Sequence, residues 1–359
     1  MTTPPEIYSE KQDHSLDVEA IAAGIAAVQG TDGEIPWCSG HKSDPWDMVE
    51  AAMGLSIGGY PAAAELAYQW LIRRQNPDGS WYTSYRNGVP EDTTRDANLS
   101  AYIAVGIYQH YLITGDRSFL EWAWLGVRSA IDFALGLQSP HGEIYWAISP
   151  EGNTDRMALL TGSSSICMSI RCALAIARQI GCRQEAWEKG LACLVRAISD
   201  KPQRFNMTKS RYAMDWYYPV LCGVIGGQGA RKRIDHLWKK FVIEGQGVRC
   251  VSDRPWITIA ETAELSLALS AVGRRPLAQI VFNWIADKQY EDGMYWAGFT
   301  YPDMTVWPED RLTWTSAVVL MAADAVYGLT PANQLFSHVF WRSQTQSVPT
   351  PQTGEYRDP

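Results

Sequence analysis

A chain of 359 residues with 46% hydrophobic and 19% charged residues is neither disordered nor too short for a large core. A formal charge of −8 and an isoelectric point near 5.3 exclude nucleic acid and anionic membrane surfaces as expected partners. Sixteen Trp and 17 Tyr against 8 Phe point to a binding cavity, because ordinary core filling is met by Leu or Phe. Seven Cys without a CxxC pair, and no N-terminal apolar stretch of signal-peptide length, predict a reduced, cytoplasmic protein. The apolar runs are broken by Gly, Ser or charge, so no membrane span is expected.

In chain order, residues 1–14 read as a flexible N-terminus and the first helix spans 15–29. It ends in Gln29-Gly-Thr-Asp-Gly-Glu-Ile-Pro-Trp37. The signature returns at Gln75-Asn-Pro-Asp-Gly-Ser-Trp81, at Gln138 to Trp146 and at Gln289 to Trp296. Each reads as a helix end, a tight turn at Gly and an aromatic shortly after. The long gap from Gln138 to Gln289 leaves room for two degenerate copies, and helical stretches ending near Ser199 and Ile243 fill it.

Between these turns two kinds of helix alternate. Amphipathic helices are predicted over 60–75, 117–138, 183–199, 229–243 and 275–289, together with 15–29. Helices rich in Ala, Gly, Ser and Leu all round are predicted over 44–59, 96–114, 159–181, 212–227, 257–273 and 310–328. A helix without a polar face is buried on every side. Six such helices ringed by six amphipathic ones predict one closed all-α (α/α)6 barrel, or toroid, over 15–330, with an open solenoid as the alternative. Residues 331–359, rich in Gln, Ser, Thr and Pro, read as a C-terminal tail that drapes or stays disordered.

Gly59 runs directly into Tyr60, and Gly115-Asp116 joins the second helix pair, whereas the connections ahead of the buried helices are long. All six long loops therefore gather at the end where the buried helices begin, and that mouth is the expected working face. Candidate substrate-binding residues there are Trp46, Lys209, Arg211, Trp216, Tyr217, Arg249, Asp253, Arg254, Trp256, Trp307 and Trp314. Flat rings stack on sugar faces, while carboxylates and guanidiniums bind hydroxyls. The turn residues Trp37, Trp81, Trp146 and Trp296 are read instead as plugs at the loop bases.

Candidate acid/base carboxylates are Asp47, Asp96, Asp215, Glu261 and Glu309. Asp44-Pro45-Trp46-Asp47 also reads as a helix start, with Asp44 at the N-cap and Asp47 three residues on. Asp47 and Glu50 form an i, i+3 pair on an otherwise uncharged helix, and Glu261 and Glu264 repeat it. Asp215 lies among rings, where burial raises a carboxyl pKa as a general acid requires. Glu309 also suits an N-terminal charge for its helix. The four cations Lys209, Arg211, Arg249 and Arg254 are expected on one side of the mouth, neutralising carboxylates or receiving an anionic ligand group. Thr161-Gly-Ser-Ser-Ser165, at the start of the third inner helix, reads as a small-residue helix-packing run, with anion binding through its backbone N–H groups as the alternative. The six His are scattered without HExxH, so no metal and no cofactor are expected.

Two resemblances follow from these residues. Gln75 to Trp81 resembles the QxxxGxW motif of squalene–hopene cyclase and prenyltransferase-like toroids, but neither DxDD nor DDxxD is present. The stretch from Asp96-Ala-Asn-Leu-Ser-Ala-Tyr102 through Thr114-Gly-Asp116 to Gln138 resembles the inner-helix, turn, outer-helix unit of six-hairpin, glucoamylase-like glycosidases. That second likeness implies an acid and a base in the loops before the third and sixth inner helices, where Glu151 or Asp155 and Glu309 or Asp310 stand. The expected function is a metal-independent enzyme of glycoside hydrolase type acting on an oligosaccharide or small-molecule substrate. A terpenoid cyclase and a non-catalytic sugar-binding toroid are the alternatives.

Overall fold

The computed structural model describes residues 16–346. In chain order its helices are α1 (Val18–Val28), α2 (Pro45–Ile57), α3 (Pro61–Arg73), α4 (Ala97–Ala101), α5 (Ile103–Thr114), α6 (Arg117–Gly136) and α7 (Leu160–Gln179). They continue with α8 (Glu185–Asp200), α9 (Ala213–Leu221), α10 (Gly227–Phe241), α11 (Ile259–Ala271), α12 (Arg275–Asn283), α13 (Thr313–Tyr327) and α14 (His338–Gln346). The inner ring runs α2, α4–α5, α7, α9, α11 and α13, each packed on the next, and α13 closes on α2. Helix α1 sits against both α13 and α2 and so completes the outer ring at the seam. The barrel is closed, and the open solenoid is excluded.

The Gln–Gly turns have a physical role in this closure. Gln75 Nε2 donates to Gly79 O within its own turn at 2.8 Å and to Gly126 O of the next outer helix at 2.9 Å. Gln138 repeats this with Gly142 O and Gly190 O, and Gln29 with Gly33 O and Ala63 O. One side-chain amide thus ties the carbonyl of its own turn to a carbonyl of the neighbouring outer helix and so links adjacent hairpins. Gly79 has φ +91°, and a Cβ there would lie 2.1 Å from Ser129 O. Glycine meets both demands, the left-handed backbone and the close approach.

Several inner helices are shorter than their apolar patterns. Predicted helix 96–114 steps at Tyr102, where Val105 N turns to Tyr102 O in an i, i+3 bond. Helix α9 stops at Leu221, because Val224 N and Ile225 N both fold back to Pro219 O. Helix α13 begins at Thr313 rather than 310, which leaves Glu309 and Asp310 in the preceding loop. Short strands organise the mouth loops. Strands β1 (Ser84–Arg86) and β2 (Val89–Asp92) form a hairpin, and β3 (Arg95–Asp96), β4 (Ala147–Ile148) and β5 (Thr154–Asp155) a small sheet. Strands β6 (Val242–Ile243), β7 (Gly247–Arg249), β8 (Trp256–Thr258) and β9 (Gly298–Thr300) form an antiparallel sheet in that order.

Helix α7 is long and apolar enough to cross a membrane, contrary to the expectation of no such segment, but 78% of its most apolar stretch is buried inside the protein. It is an inner helix of the barrel. At the other end of the ring from the mouth, the stretch after Thr330 packs on the barrel. Leu335, Phe336 and Trp341 are buried, and His338 Nε2 lies 2.6 Å from Val220 O. The expected N-terminal segment 1–14, residue 15 of the expected first helix and the remainder of the expected tail, 347–359, lie outside the described residues.

Candidate active site

The mouth opens into a cavity of about 480 Å³ at the N-terminal ends of the inner helices. Six carboxylates line it: Asp44, Asp47, Glu50, Asp96, Glu261 and Glu264. Its rings are Trp46, Trp146 and Trp314, its cation is Lys42, and Leu99, Ile144, Leu159, Ile166 and Met214 form apolar wall.

Asp44 caps α2 as its position predicts. Asp44 Oδ1 accepts from Asp47 N at 2.9 Å, and Oδ2 accepts from Trp37 Nε1 at 2.7 Å. With both oxygens engaged, Asp44 holds the entry to the helix. Asp47, on the first turn of α2, faces the cavity. Burial pushes its carboxyl well up, and the charges of Asp44 and Glu50 and a hydrogen bond with Asp44 push the same way. Asp96 caps α4 by accepting from Asn98 N at 2.7 Å and Leu99 N at 2.9 Å. Burial raises it to about 6 against those two bonds.

One turn deeper, Glu50 and Glu264 form the floor. Glu264 accepts hydrogen bonds from the hydroxyls of Tyr217 and Tyr218, the second at 2.5 Å. Burial first, then the negative charge of Glu261, push Glu264 from the usual 4.5 up to about 8. Glu50 is pushed well up by burial and next by the charge of Glu264, and Trp46 and Tyr102 donate to it. Trp46 stacks on Tyr102 with ring centroids 4.4 Å apart. Glu261 lines the cavity from the first turn of α11 and accepts a hydrogen bond from the Cys250 thiol. Burial therefore shifts Asp47, Glu50 and Glu264 toward their protonated forms.

The proton on Glu264 has a consequence for stability. Between about 4.5 and 8 the folded protein keeps a proton that the unfolded chain releases. The contribution is complete below 4.5 and is lost as pH rises through 8. Urea midpoints are therefore expected to fall from about pH 5 to about pH 8, and Glu264→Gln to flatten that dependence. An unchanged slope in the variant would show that Glu264 titrates normally.

The structure brings together Trp46, Asp47, Asp96, Glu261 and Trp314 from the sequence-predicted set, and it separates the others. Asp215 is buried just behind the wall and accepts from Thr161 Oγ1 at 2.7 Å, while Thr161 itself lines the cavity. Burial raises the Asp215 carboxyl although Thr161, Arg233 and Lys209 oppose it. Glu309 is exposed and outside the cavity, as are Asp310, Glu151 and Asp155, because α13 starts later than expected and β4 and β5 carry the third loop outward. Trp216 points away from the mouth and stacks on Phe241, its Nε1 donating to Arg233 O at 3.0 Å. Tyr217 is buried beneath the cavity on Glu264.

The expected cluster of cations is not at the cavity. Arg211 pairs with Asp253 at 2.7 Å on the surface, and Lys209 lies over the Tyr212 ring. Arg249, Asp253 and Arg254 line a separate shallow depression with Lys239 and Lys240. Trp256 and Trp307 pack edge to face on the rim, 5.4 Å between centroids. Conversely, Trp146 lines the cavity instead of plugging a turn, and Lys42, Asn98 and Thr161, none of them among the expected substrate-binding residues, join it. For these last three the common signal is position: each lies within three residues of the start of an inner helix.

No family model matches the chain. The MMP endo-(1,4)-3-O-methyl-alpha-D-mannosidase of Mycolicibacterium hassiacum is 48% identical over 318 residues, 89% of this chain and 88% of that protein. Among solved structures, a glycosidase with bound glucose superposes with a TM-score of 0.68 at 17% identity, covering 89% of this chain and all of that one. A GH63 mannosylglycerate hydrolase from Thermus thermophilus, also in complex with glucose, superposes with a TM-score of 0.67 at 10% identity over 84% of this chain and 99% of that one. These two likenesses show the (α/α)6 fold. The identity to the mannosidase over nine-tenths of the chain, joined to a carboxylate-lined cavity in a closed (α/α)6 barrel, makes this protein a glycoside hydrolase belonging to the family of that enzyme.

Proposed function

We propose that the enzyme cleaves internal linkages of a (1→4)-linked 3-O-methyl-α-D-mannose chain, with Asp47 as general acid and Glu261 as general base or nucleophile. The carrying observation is the placement of two carboxyls, Asp47 on the first turn of α2 and Glu261 on the first turn of α11, in one cavity, where burial pushes that of Asp47 well up. Asp47 protonates the leaving glycosidic oxygen, and Glu261 supplies the negative charge that meets the anomeric carbon or activates water. Trp46, Trp146 and Trp314 offer faces to sugar rings. The apolar wall of Leu99, Ile144, Leu159, Ile166 and Met214 suits a methyl ether, which carries an acceptor oxygen but no hydroxyl donor. The seven cysteines are all thiols, with Cys167, Cys172 and Cys222 buried, and support a reducing, cytoplasmic setting as part of this reading.

The test is hydrolysis of defined α-(1→4)-mannosides with and without 3-O-methyl groups, analysed by product length. Internal cleavage is expected, with kcat/KM about tenfold or more higher for the methylated chain, the scale of one methyl group in an apolar pocket. Release of terminal sugars alone would overturn the endo-acting reading. Equal rates on both chains would overturn the assignment of the methyl ether.

A further inference from the structure

Trp307 is the most exposed aromatic ring among the described residues, at 60%. Its setting is built rather than loose. Trp307 N donates to Gly298 O at 2.9 Å, and Trp256 Nε1 donates to Trp307 O at 2.8 Å. The Trp256 ring fits over Gly298, where an added Cβ would lie 2.7 Å from its Nε1. Trp256 in turn buttresses the Trp307 ring edge to face. The intervening loop is braced by Asp303, whose carboxylate accepts from Thr300 Oγ1 at 2.7 Å and Thr305 Oγ1 at 2.9 Å. Tyr301, also exposed, is tied to the β8 side by its N donating to Pro255 O at 2.9 Å.

Ordering an exposed indole in this way removes the rotamer entropy that a stacking partner would otherwise have to overcome. The chain connects this rim closely to the cavity. Cavity-lining Ala260 lies four residues along the chain from Trp256, a span of at most about 14 Å. Strand β8 leads directly into α11, which carries Glu261.

We propose that this rim is a second carbohydrate-binding platform outside the catalytic cavity, with Trp307 as the ring on which a sugar unit stacks. Its ligand is the part of a neutral polysaccharide chain that extends out of the mouth while another part occupies the cavity. The apolar face of a pyranose covers Trp307, and the Arg254 side chain in the neighbouring depression is placed to donate to hydroxyl or ether oxygens. The platform rests on the polysaccharide reading above, since only an extended substrate reaches both places.

The experiment compares wild type and Trp307→Ala on a long 3-O-methylmannose chain and on a trimer that reaches only the cavity. Trp307→Ala is expected to raise KM for the long chain about tenfold, the scale of one aromatic stacking contact, with kcat and the trimer kinetics unchanged. Trp307→Phe, which keeps a ring, is expected to restore most of the loss. A long-chain KM unaffected by Trp307→Ala, or an equal rise for both substrates, would overturn the platform while leaving the cavity assignment intact. Turnover of neither substrate by the wild type would overturn the polysaccharide reading and the platform with it.

Discussion

Glu261→Gln and Asp47→Asn are each expected to lower kcat by about 10²–10⁴, the range for removing a positioned acid or base. Both replacements keep the shape of the side chain, so the folded state is retained, which near-ultraviolet circular dichroism checks. Glu309→Gln serves as the contrast. Glu309 lies exposed in the loop before α13 and outside the cavity, so its variant is expected to keep wild-type kcat. The pH profile reports the role of the acid. Loss of the proton on Asp47 ends activity on the alkaline side, because burial and the charges of Asp44 and Glu50 hold that carboxyl well above the usual carboxylate range. A Glu309→Gln variant as impaired as Glu261→Gln would move the catalytic assignment to the loop.

Gly79→Ala is expected to destabilise the protein by about 2–5 kcal/mol, without touching the cavity. A left-handed backbone costs a non-glycine residue about 1–2 kcal/mol, and overpacking a filled site typically adds about 1–3 kcal/mol. Here the new Cβ would meet Ser129 O at 2.1 Å, a backbone atom that cannot swing away. Gly115→Ala isolates the two parts. Gly115 has φ +67° but nothing within 4 Å of its would-be Cβ, so only the backbone cost of about 1–2 kcal/mol applies. Urea unfolding of both variants measures the difference. Equal losses would show that the turn's close approach to α6 adds nothing to stability.

Sequence periodicity by itself determined the architecture. The alternation of all-round apolar and amphipathic helices required two concentric rings, since a helix without a polar face has to be covered on every side. The asymmetry of loop lengths placed the mouth, and the Asp44-Pro45 start and the i, i+3 pairs Asp47/Glu50 and Glu261/Glu264 marked carboxylates that the structure does gather there. These signals are local: capping geometry and helical spacing are set within about four residues. The partners of those carboxylates were decided only in three dimensions. Glu264 is held by Tyr217 and Tyr218 from α9 rather than by an arginine, and Asp215 by Thr161 from α7. Trp256, Trp307, Arg249 and Arg254 lie in mouth loops, yet β7, β8 and β9 turn them to the rim. Which way a loop side chain faces depends on strand register and on where the next helix begins, and residue types in a row do not encode either. Membership of the mouth was legible from the chain; membership of the cavity was decided by the sheet that folds over its edge.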